Sequence, residues 1–176
     1  ITLAVTREVA TSLHVGEEIA LTEPDGHLLA MMTLNESRIG VAASGVGLAQ
    51  AAFDIAVDYA KQRKAFGRPI GKFQAIQWML ADMLTHIHSA RLLTYHVAYL
   101  RDQQQDFVKE ASMAKLLASE VAVYATRRAM QILGGYGYSK DYPLERYFRD
   151  AKITEIYEGT SEVQRMTIAR AILGKY

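Results

Sequence analysis

The sequence predicts an all-α protein, an up-and-down four-helix bundle behind a short irregular or β-hairpin lead-in. Three observations predict it. Apolar residues recur every three or four positions over long stretches. Only three prolines, Pro24, Pro69 and Pro143, punctuate 176 residues, and proline is what breaks helix interiors. The links between the periodic stretches are short, as in bundles whose successive helices run antiparallel.

Residues 1–30 differ from the rest and form the lead-in. Ile1 to Val9 and Ser12 to Leu21 carry β-branched residues in short runs, and Pro24-Asp25-Gly26 is a turn signal. The bundle occupies residues 31–176. From Leu34 the period turns helical, with Ile39, Ala42, Val46, Ala49, Phe53, Ala56 and Ala60 on one face. Asn35 or Ser37 is expected to cap this helix, which ends near Lys64. A second helix runs from about Phe73 to Gln104, its inner face marked by Ile76, Leu80, Met83, Ile87, Ala90, Thr94 and Val97. A third spans about Val108 to Leu133, with Ala114, Leu117, Val121 and Tyr124 inward, and Gly134-Gly135 stops it. A loop covers Gly135 to Pro143. A short helix includes Glu145 to Ile153, and a last one runs from about Ser161 to Leu173 before Gly174.

The composition narrows the function classes. Half the residues are hydrophobic and 22% are charged, as in ordinary globular domains. A net charge of +1 gives no polyanion signal, so neither nucleic acid nor an anionic membrane is suggested as a partner. The absence of cysteine excludes disulfides, thiolate metal sites and a cysteine nucleophile. No apolar run is expected to reach the roughly 20 residues of a bilayer span, and no basic-then-apolar leader is read at the start. None of the five histidines falls in a His-Glu-x-x-His zinc pattern, so no metal is expected.

Four segments carry possible chemistry. Gly45-Val46-Gly47 resembles the opening of a dinucleotide fingerprint, but no strand precedes it, and close helix packing reads better. Tyr59 to Gly67 is either a helix C-terminus whose cations complement the dipole or a phosphate grip built on Arg63, a planar bidentate group. Gln131 to Tyr138 is either a glycine cap with its loop or a place where backbone closely approaches a ligand. In Ile156 to Gln164, Thr160 or Ser161 caps the last helix. That leaves Glu158, placed between Tyr157 and Gly159 ahead of the cap, as a candidate general base.

Taken together and in this order, these segments resemble the acyl-CoA dehydrogenase family from about Leu34 to Tyr176. The resemblance is carried by Tyr59-Ala60-x-x-Arg63-Lys64-Ala65-Phe66-Gly67, Gln74-Ala75-Ile76-Gln77, Gln131-Ile132-Leu133-Gly134-Gly135-x-Gly137, Arg149-Asp150-Ala151-Lys152 and Ile156-Tyr157-Glu158-Gly159-Thr160-Ser161. It covers only the carboxy-terminal helical bundle of a family that also has an amino-terminal helical and a middle β domain. It implies α,β-dehydrogenation of an acyl-CoA thioester: a base removes the α-proton while a hydride passes from the β-carbon to FAD. The base falls on Glu158. Asn35 and Arg38 fall beside the CoA portion, and Tyr157 and Gly159 beside the acyl group. Arg63, Phe73, Gln74, Gln131, Gly134, Gly135, Thr160 and Glu162 fall where the family contacts FAD. Some of those contacts reach the neighbouring subunit's flavin, which implies a homodimer or homotetramer.

The resemblance further implies an electron-transfer flavoprotein as acceptor and a cytoplasmic or mitochondrial-matrix location, with the cytoplasm favoured. In some family branches the base sits on the first long helix, at the position of Ser37; Glu36, next to it, faces about 100° away on a helix. Glu162 stands where many members carry glutamine, placing a charge near the flavin. Two other functions are kept in view: a non-catalytic helical module for oligomerisation or partner binding, and an acyl-CoA oxidase-type flavoenzyme on the same fold.

Overall fold

The computed structural model describes residues 25–174, with side chains from Met31 onward. Three long helices, α1 (Asp25–Gln62), α2 (Gln74–Asp102) and α3 (Val108–Leu133), run up, down and up. A one-turn helix α4 (Gly135–Tyr138) follows, then α5 (Leu144–Thr154) and α6 (Ser161–Leu173), both laid against α3. The bundle predicted from periodicity is therefore the observed architecture.

Its core is built largely from alanine. On α1, Ala42, Ala49, Ala52, Ala56 and Ala60 are buried; on α3, Ala111, Ala114, Ala118, Ala122, Ala125 and Ala129 are buried opposite them. Methyl-sized side chains let two backbones approach closely, and α1 with α3 is the most extensive helix pairing in the fold. At the tightest point a Cβ added to Gly45 would lie 2.9 Å from the Ala118 carbonyl oxygen. Gly45 thus serves packing, as read; Gly47, two residues on, faces open space. Larger side chains fill the α2 side, where Met83, Ile87, Ala90, Thr94 and Val97 are buried.

The structure corrects the sequence reading at four places. Asp25 is already helical, so the turn expected at Pro24-Asp25-Gly26 is replaced from Asp25 by helix, and residues 25–30 of the lead-in belong to α1. The rest of the lead-in lies outside the described residues. Asn35 and Ser37 are consequently not caps but lie within α1, where Asn35 accepts from Arg38 one turn on and Ser37 donates across to Glu158. Second, α1 ends at Gln62 and gives way to a small antiparallel hairpin, β1 (Lys64–Ala65) with β2 (Arg68–Pro69). Its two-residue turn, Phe66-Gly67, has φ of 51° and 77°, the positive values that type I′ turns require and that match strand twist. Third, the loop read over Gly135 to Pro143 begins with the single turn of α4. Fourth, Met31–Gln62 reaches a mean hydropathy of 1.4 and is long and apolar enough to cross a membrane by composition. The cause is the alanine and valine that α1 spends on packing against α2 and α3, as a bundle's core helix does.

The remaining boundaries agree with the sequence. The third and last helices begin and end where capping and glycine placed them. Gly134 closes α3 at φ 61° and Gly174 closes α6 at φ 84°.

Candidate active site

The α5–α6 link holds the candidate base. Thr160 caps α6, its hydroxyl accepting from the Val163 N–H at 3.4 Å. That fixes the two residues before it, Glu158 at φ 54° and Gly159 at φ 88°, as a left-handed turn. Glycine adopts this region freely; a glutamate there carries strain of about 1 kcal/mol or more. Two donors, making three hydrogen bonds, hold the turn. The Gln164 side-chain amide donates to the Glu158 carbonyl at 3.1 Å and to the Gly159 carbonyl at 2.8 Å. The Lys115 ammonium, from α3, donates to the Gly159 carbonyl at 2.7 Å. Gly159 itself is sterically required, because a Cβ there would lie 2.8 Å from the Gln164 amide nitrogen.

The Glu158 carboxylate, half-buried, turns to α1, where the Ser37 hydroxyl donates to Oε2 at 2.8 Å. Beneath it lies Arg38, only 2% exposed. Arg38 Nη1 donates to Asn35 Oδ1 at 2.8 Å and to the Ser112 hydroxyl at 3.3 Å, while its Nε finds no partner. Burial lowers the Arg38 proton affinity below its ordinary value, against the pull of the Glu158 charge. Lys115, wholly buried, is also lowered: burial contributes most, the Arg38 charge adds, and the Glu155, Glu158 and Glu162 carboxylates oppose. Glu36 points elsewhere, pairing with Arg101 of α2 at 2.7 Å, as its helical angle from Ser37 predicted. A half-exposed carboxylate with one hydroxyl donor on a braced backbone can accept a proton from a substrate carbon brought against it.

A second assembly forms at the other end of α1 and α3. Arg63, Gln131, Gly134 and Gly135 come together with Tyr59, Tyr136 and others around an open groove of about 540 Å³. Arg63 has no carboxylate partner among the described residues, and Gly134 and Gly135 expose their backbone beside it. An unpaired guanidinium next to bare backbone is the donor set a pyrophosphate needs, so these residues fit a dinucleotide. Tyr59 meets the Tyr142 ring edge-on at 5.9 Å and the tilted Tyr136 ring at 6.3 Å, giving the groove an aromatic wall.

The other expected cofactor contacts lie apart from that groove. Phe73 sits after the hairpin, under the Arg68 guanidinium at 4.3 Å from the ring centroid, and Gln74, exposed, opens α2. Thr160 and Glu162 line a separate cleft of about 220 Å³ with Lys152, Glu155 and Arg165. Glu162 is held below the usual carboxylate range, chiefly by its own backbone N–H at the start of α6 and then by the Thr160 hydroxyl. Tyr157 is exposed beside Glu158.

Sequence reasoning missed Lys115, Gln164, Ser112 and the contact of Ser37 with the Glu158 carboxylate. For Lys115 a signal was present: it lies on the buried stripe Ala111, Ala114, Ala118, Ala122, where a charge is out of place.

The family profile described as acyl-CoA dehydrogenase, C-terminal domain, matches residues 24–173. The chain therefore belongs to the acyl-CoA dehydrogenase family, through its C-terminal domain. It is 55% identical over 163 residues to the bovine mitochondrial short-chain specific acyl-CoA dehydrogenase, covering 92% of this chain and 40% of that one. It is 56% identical over 152 residues to an acyl-CoA dehydrogenase of Bacillus subtilis, covering 86% and 40%. The structure of butyryl-CoA dehydrogenase from Megasphaera elsdenii superposes with a TM-score of 0.85 at 51% identity, over 86% of this chain and 40% of that one. The chain thus spans about 40% of the length of these relatives.

Proposed function

We propose that this chain is the base-bearing helical part of an FAD-dependent acyl-CoA dehydrogenase. One observation carries the reading: Glu158 stands on a left-handed turn clamped from α3 and α6, with its carboxylate hydrogen-bonded to Ser37. A surface carboxylate without a task needs no such bracing.

In this reading Glu158 takes the α-proton of the thioester on a carboxylate oxygen. FAD, when bound, accepts the hydride from the β-carbon, so an α,β double bond forms and two electrons leave the substrate. The residues of this chain orient and shield. Ser37 fixes the carboxylate rotamer. Tyr157 and Gly159 border the acyl group, and Asn35, with Arg38 beneath it, borders the CoA portion. Arg63, Gln131, Gly134 and Gly135 would hold the pyrophosphate and adenosine end of FAD, Phe73 and Gln74 would add contacts past the hairpin, and Thr160 and Glu162 would contribute contacts from the turn that carries the base.

The two assemblies lie far apart. From Ser37 to the end of α1 at Gln62 the helix rises about 37 Å, at 1.5 Å per residue. One dinucleotide does not reach from the Arg63 groove to Glu158 of the same chain. This separation supports a homodimer or homotetramer in which the groove of one copy serves the flavin beside another copy's base. The exposed Leu84, Leu92, Tyr95 and Tyr99 on α2 give such an assembly apolar surface to cover. An electron-transfer flavoprotein is the acceptor that fits this chemistry. The relatives include mitochondrial and bacterial proteins; for this chain the cytoplasm is favoured over the mitochondrial matrix.

The test uses the complete gene product. It is expected to be yellow with bound FAD, to run as an oligomer, and to bleach anaerobically on addition of a short acyl-CoA. A colourless, stably folded oligomer would instead establish the non-catalytic module. Peroxide formed in step with substrate loss would establish the oxidase.

A further inference from the structure

Lys115 has no place in the reaction described above, yet its setting calls for an explanation. It is a lysine with no exposed surface, within α3, on a buried face made of alanines and the serines Ser112 and Ser119. Burying an ammonium is unfavourable, and an apolar side chain of similar volume at such a site is often as stable or more so. Fold stability therefore does not account for a lysine here. Its hydrogen bond is the informative feature. Nζ meets the Gly159 carbonyl at 2.7 Å, one peptide after Glu158. The Gln164 amide, also fully buried, meets the same carbonyl from α6 and the Glu158 carbonyl as well. Two buried donors from two different helices thus grip the two carbonyls of the consecutive positive-φ pair Glu158-Gly159.

We infer that Lys115 is a positioning residue for Glu158: its ammonium, with the Gln164 amide, pins the Glu158–Gly159 turn so that the carboxylate stays at Ser37. The inference rests on the reading of Glu158 as base. It assigns a rate effect to a residue that contacts neither substrate nor flavin. Loosening the turn lets the carboxylate depart from its line of approach, and misplacement by about 1 Å costs up to about 100-fold in rate. Lys115→Met leaves the Gly159 carbonyl its bond from Gln164, so no buried acceptor is orphaned and the variant is expected to fold.

The experiment compares Lys115→Met, Gln164→Leu and Glu158→Gln in the complete flavoprotein. It reads the anaerobic rate of flavin bleaching per bound FAD, the KM for acyl-CoA and the melting temperature. Lys115→Met is expected to lower the per-flavin rate about 10- to 100-fold, with KM changed less than about twofold and the melting temperature kept or raised. A per-flavin rate within about twofold of wild type overturns the inference. So does a fall in melting temperature with the per-flavin rate intact, which is the signature of a structural role alone. If Lys115→Met gives no folded flavoprotein, Gln164→Leu decides by the same ratio. Glu158→Gln separates the layers: turnover retained there sinks the base assignment itself, whereas turnover lost there with Lys115→Met unaffected sinks only the role of Lys115.

Discussion

Glu158 occupies a backbone region that side chains rarely adopt, at φ 54°, and its neighbours show what holds it there. Among the described residues, Ser37 supplies the single side-chain donor to the carboxylate. Ser37→Ala removes a charge-assisted bond worth about 1.5 kcal/mol, so flavin bleaching is expected to slow about tenfold with substrate affinity kept. Stopped-flow absorbance checks this. Lys115 gives a pH prediction. Its folded-state value lies below the ordinary 10.5 because burial disfavours the cation. Between the two values the unfolded chain holds the proton that the folded chain has released, so this group makes stability rise with pH across that window. Below the folded value both states are protonated and the burial penalty is fully present. Urea midpoints at pH 8 and pH 10 are expected to diverge less in Lys115→Met than in wild type. Glu158, the proposed base, stood out in the sequence as a carboxylate left unexplained ahead of a capping threonine. Lys115 and Gln164 did not, because their partners lie 44 and 5 residues away on carbonyls that carry no side-chain signature.

At the scale of elements, alanine decides how the helices meet. Gly45 and Gly47 make a matched pair for testing this. An added methyl at Gly45 would press on the Ala118 carbonyl at 2.9 Å, whereas at Gly47 it meets nothing within 4 Å. Gly45→Ala is expected to destabilise by about 1–3 kcal/mol through overpacking. Gly47→Ala should stabilise by about 0.5–1 kcal/mol through helix propensity. Denaturant unfolding measures both, and equal effects would contradict the packing described. Helix existence and most boundaries were legible because the apolar period is sustained over many turns and glycine marks the ends. The start of α1 was not. Asn35 and Ser37 have the chemistry of caps, but Asn35 accepts from Arg38 of its own helix and Ser37 donates across the bundle to Glu158. The hairpin after Gln62 escaped notice because its strands are two residues each and its turn carries phenylalanine where asparagine is the usual signal.

For the whole molecule, the arrangement divides function between its two ends. The Arg63 groove and the Glu158 turn are held apart by the length of α1, and in the proposed function each is completed by further protein. Apolar side chains remain exposed across the surface, among them Phe66 at the hairpin tip, 95% exposed. Arg63→Ala is expected to lower FAD occupancy of the complete protein while leaving the bundle folded, seen as loss of yellow colour at unchanged helicity. The account stands or falls on the carboxylate between Tyr157 and Gly159. Anaerobic mixing of the Glu158→Gln flavoprotein with a short acyl-CoA tests it most directly. The prediction is that the flavin stays oxidised while acyl-CoA still binds; bleaching at the wild-type rate would contradict it.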